Sequence, residues 1–329
     1  MDKKVKWGIL GLGNIAHKFA NALSLLPDAQ LLAVGSRTMK KSVDFGKEFN
    51  VLRTYGSYED LLSDPDIEII YVATPHRYHL ENVLACLKSG KSVLCEKPFA
   101  MNENQASEMI QLARSSKLFL MEAMWTRFLP ATIKLNEIIK SGKIGDIRLF
   151  KGDFAFRCDR DLEGRLLNPE LAGGALFDAG IYPVSFATML FGGQPEDISA
   201  ISYFGETGVD EQTAITLRYP GGQMAQLYCG FNTTTFQDGD IVGTEGAIRL
   251  PDFFHASKMN IYIGRELDQT IELSYGENGC IYEAMEAMKC IREGKLESEL
   301  IPLNETLEIA RLMDNIKNKC GIKYSFDND

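Results

Sequence analysis

The stretch "GILGLGNIAHKF" at residues 8–19 joins an apolar run to a helical pattern through a glycine turn. Gly11 permits a tight turn, and Gly13 lets the backbone approach a pyrophosphate. The small side chain of Ala16 allows the helix to pack closely on the strand, and a helix N-terminus favours negative charge. The motif is weak alone, but at the head of a strand–helix series it predicts a dinucleotide-binding site.

Short apolar runs alternate with helical patterns through the first third of the chain. The runs lie at residues 5–10, 31–36, 67–74, 92–97 and 118–124. Strands that are apolar throughout and alternate with helices are typical of a parallel sheet covered on both faces. We therefore expect an α/β, doubly wound Rossmann domain over residues 1–124.

The pattern changes after Met124. Runs such as residues 146–156, 213–219 and 222–231 alternate between apolar and polar residues, which indicates a mainly antiparallel sheet with one open face. We expect residues 125–329 to form an α+β domain for substrate binding and oligomerisation. A final helix over residues 303–321 is predicted to begin at an Asn304 cap and to stop at Gly321.

Composition restricts the functional classes. The 329 residues carry a net charge of −10, which argues against nucleic-acid binding. No apolar run approaches the roughly 18 residues of a membrane span, and the start of the chain lacks a signal-peptide pattern. Seven cysteines, odd in number and without a CxxC pair, suggest reduced thiols and a cytoplasmic protein. The close pair His76 and His79 has no cysteine cluster nearby, so we expect no metal.

The residues after the second strand bear on the choice of dinucleotide. An NAD site usually places an acid about 20 residues beyond the glycine turn, but Ser36 and Arg37 stand at that place. A hydroxyl and an arginine can hold a 2′-phosphate, which a carboxylate would repel. The sequence therefore favours NADP, with NAD possible. The alternative is that Arg37 is a solvated loop residue.

Two further strand ends carry polar side chains to the same sheet edge. Glu96 and Lys97 close the run "SVLCEKP", and Pro98 biases Lys97 towards an extended backbone. Ligands of an open parallel sheet bind outside the carboxyl ends of the strands, so Lys97 is expected beside the nicotinamide. A surface ion pair is the alternative, but it would contribute little. His79 is expected to have a structural or supporting role.

The preceding strand ends in "TPHRYH" at residues 74–79. The glycine turn, this motif and above all "EKP" at residues 96–98 resemble the Gfo/Idh/MocA oxidoreductases, and the resemblance covers essentially the whole chain. It implies that Lys97 is the active-site lysine and that the open sheet mediates a homodimer or higher homo-oligomer. The residues that we expect to contact the cofactor are Gly11, Gly13, Asn14, Ile15, Ser36, Arg37, Thr74, Pro75, His76, Glu96, Lys97, Trp125 and Arg127.

A second motif, "AGGALFDAGIYPV" at residues 172–184, refines the resemblance. Many relatives have Asp-x-x-x-His here, whereas this chain has Asp178 and Tyr182. With "MEAMWTRFLP" at residues 121–130, this is similar to the branch of dimeric dihydrodiol dehydrogenases and NADP-dependent D-xylose dehydrogenases. That resemblance implies that Trp125 and Arg127 help to enclose the cofactor. The alternative for Tyr182 is a helix aromatic packed in the core.

Lys97, Tyr182 and Asp178 are thus the expected catalytic residues. An ammonium near a phenol favours the phenolate, so Lys97 would help Tyr182 accept a hydroxyl proton. Asp178 could orient the substrate or Lys97. A sugar, a polyol or a cyclic trans-diol fits the branch.

The loop over residues 156–174 is expected to rim the substrate pocket. Its charged residues Arg157, Asp159, Arg160 and Arg165 could bind a polyhydroxylated ligand or could equally be a solvated surface.

The sequence leaves three alternative functions open. One is a non-catalytic NADP-binding redox sensor, although both Lys97 and Tyr182 are present. Another is a biliverdin-reductase-like enzyme, and a third is a reductase for a different small carbonyl compound.

Overall fold

A computed structural model describes residues 4–327, which form two compact units. The first unit contains residues 4–125 and Gly276–Thr306, and the second contains Thr126–Tyr275 and residues 307–327. The sequence prediction divided the chain after Met124 and assigned everything beyond it to the second domain. The structure differs, because Gly276–Thr306 returns to the first unit.

A parallel sheet of six strands forms the centre of the first unit within the described residues. The spatial order is β3-β2-β1-β4-β5-β6. Its strands are β1 (Val5–Leu10), β2 (Ala29–Gly35), β3 (Arg53–Tyr55), β4 (Ile69–Val72), β5 (Ser92–Glu96) and β6 (Leu120–Ala123). Every residue of β4 and β6 is buried, so both faces of these strands are covered, as their continuous apolar runs predict.

Helices connect these strands. They are α1 (Asn14–Ser24), α2 (Met39–Phe49), α3 (Tyr58–Leu62), α4 (His79–Lys88) and α5 (Glu103–Ser116). The side chain of Asn102 accepts a hydrogen bond from the Gln105 amide and caps α5, which explains why this helix begins directly after the "EKPFAM" segment. The doubly wound arrangement predicted from the sequence is confirmed.

The second unit is built on a sheet in which eight strands are described, in the order β14-β13-β12-β11-β7-β10-β9-β8. Among these strands only β7 and β10 pair in parallel. The strands are β7 (Ile147–Ala155), β8 (Asp197–Phe204), β9 (Asp210–Arg218), β10 (Met224–Gly230), β11 (Gly239–Gly243), β12 (Gly246–Leu250), β13 (Lys258–Ile263) and β14 (Glu266–Glu272). The predicted mainly antiparallel sheet is confirmed.

Buried and exposed residues alternate along β10, so this sheet has one covered and one open face. Helix α7 (Ile181–Phe191) packs against β7 and β10 on the covered face, and α6 (Pro130–Lys140) contacts β13. Contrary to the expectation from the sequence, the helical stretch Pro169–Phe191 is long and apolar enough to cross a membrane by length and composition. In the structure 83% of its apolar window is buried, as in the core helix of a globular domain.

Two helices complete the chain, α8 (Cys280–Arg292) and α9 (Leu303–Cys320). Helix α8 packs against α1, and the Asn278 side chain donates a hydrogen bond to the Lys18 carbonyl oxygen at 2.7 Å. The predicted Asn304 cap of the last helix is wrong. The Leu303 amide donates instead to the Glu297 carboxylate at 2.6 Å, and the Asn304 side chain accepts from Arg114.

Candidate active site

The glycine turn of the first unit has the shape that a dinucleotide requires. Gly11 has φ +90°, and a Cβ atom there would lie 2.9 Å from the Ala73 carbonyl oxygen, so no side chain fits. A Cβ atom at Gly13 would meet nothing within 4 Å. Gly13 is the N-cap of α1, and no side chain caps the helix, so the first amides of α1 can bind a pyrophosphate. Asn14 and Ile15 are the first two residues of this helix.

A cavity of about 360 Å³ adjoins this turn in the first unit. Two of its lining residues are lysines, Lys40 and Lys41, which follow Ser36 and Arg37 closely but are not among the residues expected from the sequence. The complete lining is Leu12, His17, Thr38, Lys40, Lys41, Asp44, Phe45 and Glu48. Arg37 is exposed at the end of β2, and the Ser36 hydroxyl accepts a hydrogen bond from the Thr38 amide at 3.4 Å. The cavity thus offers cations beside the expected adenosine ribose site.

His79 joins two strand-end loops of the first unit. Its Nε2 lies 2.9 Å from the Thr74 carbonyl oxygen, and its Nδ1 lies 2.9 Å from the Pro98 carbonyl oxygen. Burial lowers the pKa of His79, so its neutral ring donates to one of these two carbonyls at a time. The loops that carry Thr74–His76 and Lys97 are therefore held together by a buried imidazole. Pro75 precedes the short helix His76–Tyr78, in which His76 is buried.

Glu96 lies at the end of β5 and is buried, whereas Lys97 is partly exposed. The Lys97 amide donates to Glu96 Oε2 at 3.1 Å, and the Tyr71 hydroxyl donates to Glu96 Oε1. The Lys97–Pro98 peptide bond is cis. These contacts show that Glu96 is an anchored group of the strand end.

A second buried acid belongs to the same cluster. Glu283 of α8 has 0% exposure. Burial raises the pKa of the Glu283 carboxyl well above its ordinary value, and the charge of Glu96 raises it further, while Lys18 opposes the shift. The Lys18 ammonium lies 4.5 Å from the centre of the Trp125 ring. Glu283, Glu96 and Lys18 therefore interact electrostatically within the first unit, which the sequence alone does not reveal.

In the second unit, Tyr182 lies in the first turn of α7 and is 4% exposed. Its ring meets Phe154 and Phe254 edge to face, with centroid distances of 5.3 Å and 4.6 Å. Phe154 and Phe254 stack on each other at 4.2 Å. The expected acid–base tyrosine is thus held among aromatic side chains, which fix the direction of its phenol.

Asp178 and Arg127 contact the region around α7 within the second unit. Asp178 lies on a π-helical turn, Leu176–Gly180, directly before α7, and its Oδ1 accepts from Arg165 at 2.7 Å. Arg127 is buried and donates to the Ser185 hydroxyl at 3.1 Å. Arg127, a residue expected at the cofactor, therefore also supports α7.

The charged loop residues take separate positions. Arg157, Asp159 and Arg160 line a polar cavity of about 610 Å³, and Arg160 pairs with the buried Glu211 at 2.7 Å. Ring contacts from Phe154 through Phe156 to Phe231, which lines the cavity, connect it to the surroundings of Tyr182. Among residues 4–327, no group of three His, Cys, Asp or Glu side chains is arranged to hold a metal ion.

Comparison with known proteins shows which family has this architecture. Residues 5–124 match the family model of the oxidoreductase family with an NAD-binding Rossmann fold, and residues 132–249 match the GFO/IDH/MocA C-terminal domain. The chain is 37% identical to trans-1,2-dihydrobenzene-1,2-diol dehydrogenase of Mus musculus over 98% of this chain and 99% of the relative. It is 39% identical to the enzyme of that name from Xenopus laevis, over 97% and 99% of the two chains.

The chain belongs to the Gfo/Idh/MocA oxidoreductase family.

Solved structures agree on the fold. The aldose-aldose oxidoreductase from Caulobacter crescentus, complexed with glycerol, superposes with a TM-score of 0.89 at 23% identity, covering 97% of this chain and 98% of that one. A 3-ketoreductase from Actinomadura kijaniata in complex with NADP and TDP-benzene superposes with a TM-score of 0.86 at 23% identity, with the same coverage. As a family member, the protein is an NAD(P)-dependent oxidoreductase acting on CH–OH groups, as the sequence predicted.

Proposed function

We propose that this protein is an NADP-dependent dehydrogenase of cyclic trans-diols, with Lys97 and Tyr182 at the reacting centre. The observation that carries the proposal is the aromatic setting of Tyr182, whose ring is held edge to face by Phe154 and Phe254. An apolar ring with two hydroxyl groups suits a pocket that combines such rings with one phenol. The full-length relatives, which bear the name of a dihydrodiol dehydrogenase, support this substrate class.

The proposed chemistry assigns one task to each group. When bound, NADP⁺ supplies the acceptor for the hydrogen and the electron pair that leave the carbinol carbon. The Tyr182 oxygen takes the hydroxyl proton as the C–O single bond becomes a carbonyl. The Lys97 ammonium stabilises the negative charge that develops on the reacting oxygen and favours the phenolate form of Tyr182. Asp178, fixed by Arg165, orients the substrate hydroxyls.

NADP rather than NAD is the proposed cofactor. Arg37, Lys40 and Lys41 provide three cationic side chains along the loop after β2 and the start of α2, and the two lysines line the cavity beside the glycine turn. A 2′-phosphate gains charge-assisted hydrogen bonds from such groups.

A sugar or polyol is the second candidate substrate. The polar cavity of Arg157, Asp159 and Arg160 favours it, because charged and amide side chains can bind several hydroxyl groups.

A panel of NADP-linked assays distinguishes between these candidate substrates and functions. The substrates are trans-dihydrodiols, aldoses, inositols and α-dicarbonyls for oxidation or reduction, and a tetrapyrrole for NADPH oxidation. We expect the highest kcat/KM with a trans-dihydrodiol. Preference for an aldose would support the second candidate, and turnover of the tetrapyrrole alone would contradict the proposal. Absence of all turnover with intact NADP binding would favour the redox sensor.

Variants test the two catalytic residues. Lys97→Met and Tyr182→Phe should each lower kcat about 10²-fold or more, the scale of a lost acid–base or electrostatic contribution. The double variant should be little worse than either single one, because both residues act as one unit. Tyr219→Phe is the matched control, since Tyr219 is another buried tyrosine of the second unit and should retain kcat. Normal kcat in Lys97→Met or Tyr182→Phe, with unchanged melting temperatures, would refute the assignment.

A further inference from the structure

The turn that precedes the Asp178–Tyr182 motif is tightly fitted. Ala172 and Gly174 have positive φ angles of 59° and 129°. A Cβ atom at Gly173 would lie 2.7 Å from the Leu166 carbonyl oxygen, and one at Gly174 would lie 2.3 Å from Asp210 Oδ1. Gly174 therefore brings the backbone directly against the Asp210 carboxyl, while Gly173 packs on the Leu166 carbonyl oxygen. We call residues 172–182 the tyrosine segment.

Asp210 is the first residue of β9 and has 0% exposure. Its Oδ2 accepts from the Leu176 amide at 2.7 Å and from the Thr213 hydroxyl at 3.0 Å. The Thr213 hydroxyl also lies 2.7 Å from the Ser202 hydroxyl of β8. Leu176 is the first residue of the π-helical turn, so this carboxyl fixes the amide at which the turn begins.

The charged groups around Asp210 have other partners. Glu211, the next residue along β9, pairs with Arg160, and Asp178 of the tyrosine segment pairs with Arg165. Cys229 of β10, Cys320 of α9 and Tyr324 interact electrostatically with Asp210. Burial raises the pKa of each of the three, so they are uncharged at neutral pH. Burial also raises the pKa of Asp210 to about 7, against the opposing bonds from Leu176 and Thr213.

A buried carboxyl without a paired cation is costly, and buried hydrogen-bond networks make the segments that they join rigid. The π-helical turn contains Asp178, and the first turn of α7 contains Tyr182. π-Helical turns are rare and often occur at functional sites, because the extra residue changes the direction of the side chains that follow.

We propose that Asp210 is a positioning residue, whose carboxyl fixes the tyrosine segment so that Asp178 and Tyr182 point in the directions that the reaction requires. The inference rests on the proposed function, because it gives Tyr182 the acid–base task. The proposed role of Asp210 involves no contact with substrate or cofactor. It acts through the Leu176 amide.

Three variants test the proposal. Asp210→Ala removes the acceptor of the Leu176 amide, and Asp210→Asn keeps an oxygen at the same place without the charge. Leu217→Ala is the control for general destabilisation, because Leu217 is fully buried near the other end of β9 and away from the tyrosine segment. Each variant is measured for kcat, KM and NADP affinity, and for hydrogen exchange of the amides at residues 176–182.

In Asp210→Ala we expect exchange of the Leu176 amide to accelerate at least about tenfold. We expect kcat to fall about 10- to 100-fold, because a displacement of about 1 Å in a catalytic group costs this much. NADP affinity should stay unchanged. Asp210→Asn should restore protection and kcat to within about threefold of the wild type. Leu217→Ala should lower the melting temperature and leave kcat intact.

Two results would overturn the inference. One is unchanged protection of Leu176 in Asp210→Ala, and the other is lost protection with normal kcat while Tyr182→Phe is inactive. If Tyr182→Phe itself keeps normal kcat, the proposed function fails, and the positioning role for catalysis fails with it. The two failures are distinguishable because normal kcat appears in Tyr182→Phe in the one case and only in Asp210→Ala in the other.

Discussion

The two glycines of the turn, Gly11 and Gly13, have different roles. Gly11 is required by the fold, since its φ of +90° and the Ala73 carbonyl oxygen leave no room for a Cβ atom. Gly13 faces open space, so its small size is useful only to a molecule that approaches from outside. The sequence signal for the residues that bind the ribose is less specific, because an exposed arginine such as Arg37 is also common on surfaces without a ligand.

The cofactor preference is a prediction about individual residues. Arg37→Ala and the pair Lys40→Ala/Lys41→Ala should each raise the KM for NADP about 10- to 100-fold, since each removes charge-assisted hydrogen bonds to the 2′-phosphate. The KM for NAD should change little. Lys47→Ala is the control, because Lys47 lies on the same helix, α2, but not in the cavity lining. Steady-state kinetics with both cofactors decide the matter, and equal use of NAD and NADP by the wild type would contradict it.

Among the helices, α8 places a carboxyl group, that of Glu283, in the interior of the first unit, where burial disfavours its charged form. Glu283 is fully buried, and its pKa is raised above its ordinary value by burial and by Glu96. The folded state therefore holds a proton that the unfolded chain releases above about pH 4.3. By linkage, this group contributes most stability at low pH, and the contribution is lost as the pH rises towards the raised pKa.

We expect Glu283→Gln to remove this dependence. Its melting temperature should match that of the wild type near pH 4 and exceed it by a few degrees at pH 8, since about 1 kcal/mol corresponds to a few degrees in a protein of this size. Glu286→Gln on the same helix is not a suitable control, because the Glu286 carboxylate accepts from Ser298. Glu81→Gln, at the partly exposed start of α4, serves instead. Parallel pH curves for wild type and Glu283→Gln would show that Glu283 does not hold the proton.

At the scale of the whole molecule, the open face of the large sheet is the feature that a single chain leaves unexplained. Ile201 and Tyr203 of β8 are 73% and 60% exposed, and they lie among polar residues such as Ser199 and Gln226. Apolar side chains on a broad sheet face favour association with a second sheet. Since a second copy of this chain offers the same face, we propose a symmetric homodimer through it.

The dimer prediction has a direct test. Light scattering at micromolar concentration should give twice the chain mass of 36.7 kDa. Ile201→Asp should shift the mass towards one chain, because it places a charge in the proposed contact. Leu52→Asp is the control, since Leu52 is 97% exposed and lies in the first unit. A wild-type mass of one chain would refute the dimer.

The type of each domain and the family can be predicted from the amino-acid sequence alone. Both follow from local information: the glycine turn, the period of the apolar residues, and the motifs at residues 74–79, 96–98 and 178–182. Such patterns specify which element a stretch forms, because helix and strand periods are properties of the local backbone. The candidate residues Lys97 and Tyr182 come from the same motifs.

The packing of stretches that are distant in the chain is visible only in the three-dimensional structure. The helical pattern of α8 does not reveal that Gly276–Thr306 returns to the first unit, and the last helix begins at Leu303 because the Glu297 carboxylate accepts its amide. Nor does a lone aspartate at position 210 reveal its bond to Leu176, 34 residues earlier in the chain. Burial and long-range hydrogen bonds depend on packing partners from elsewhere in the chain, and no local period records them.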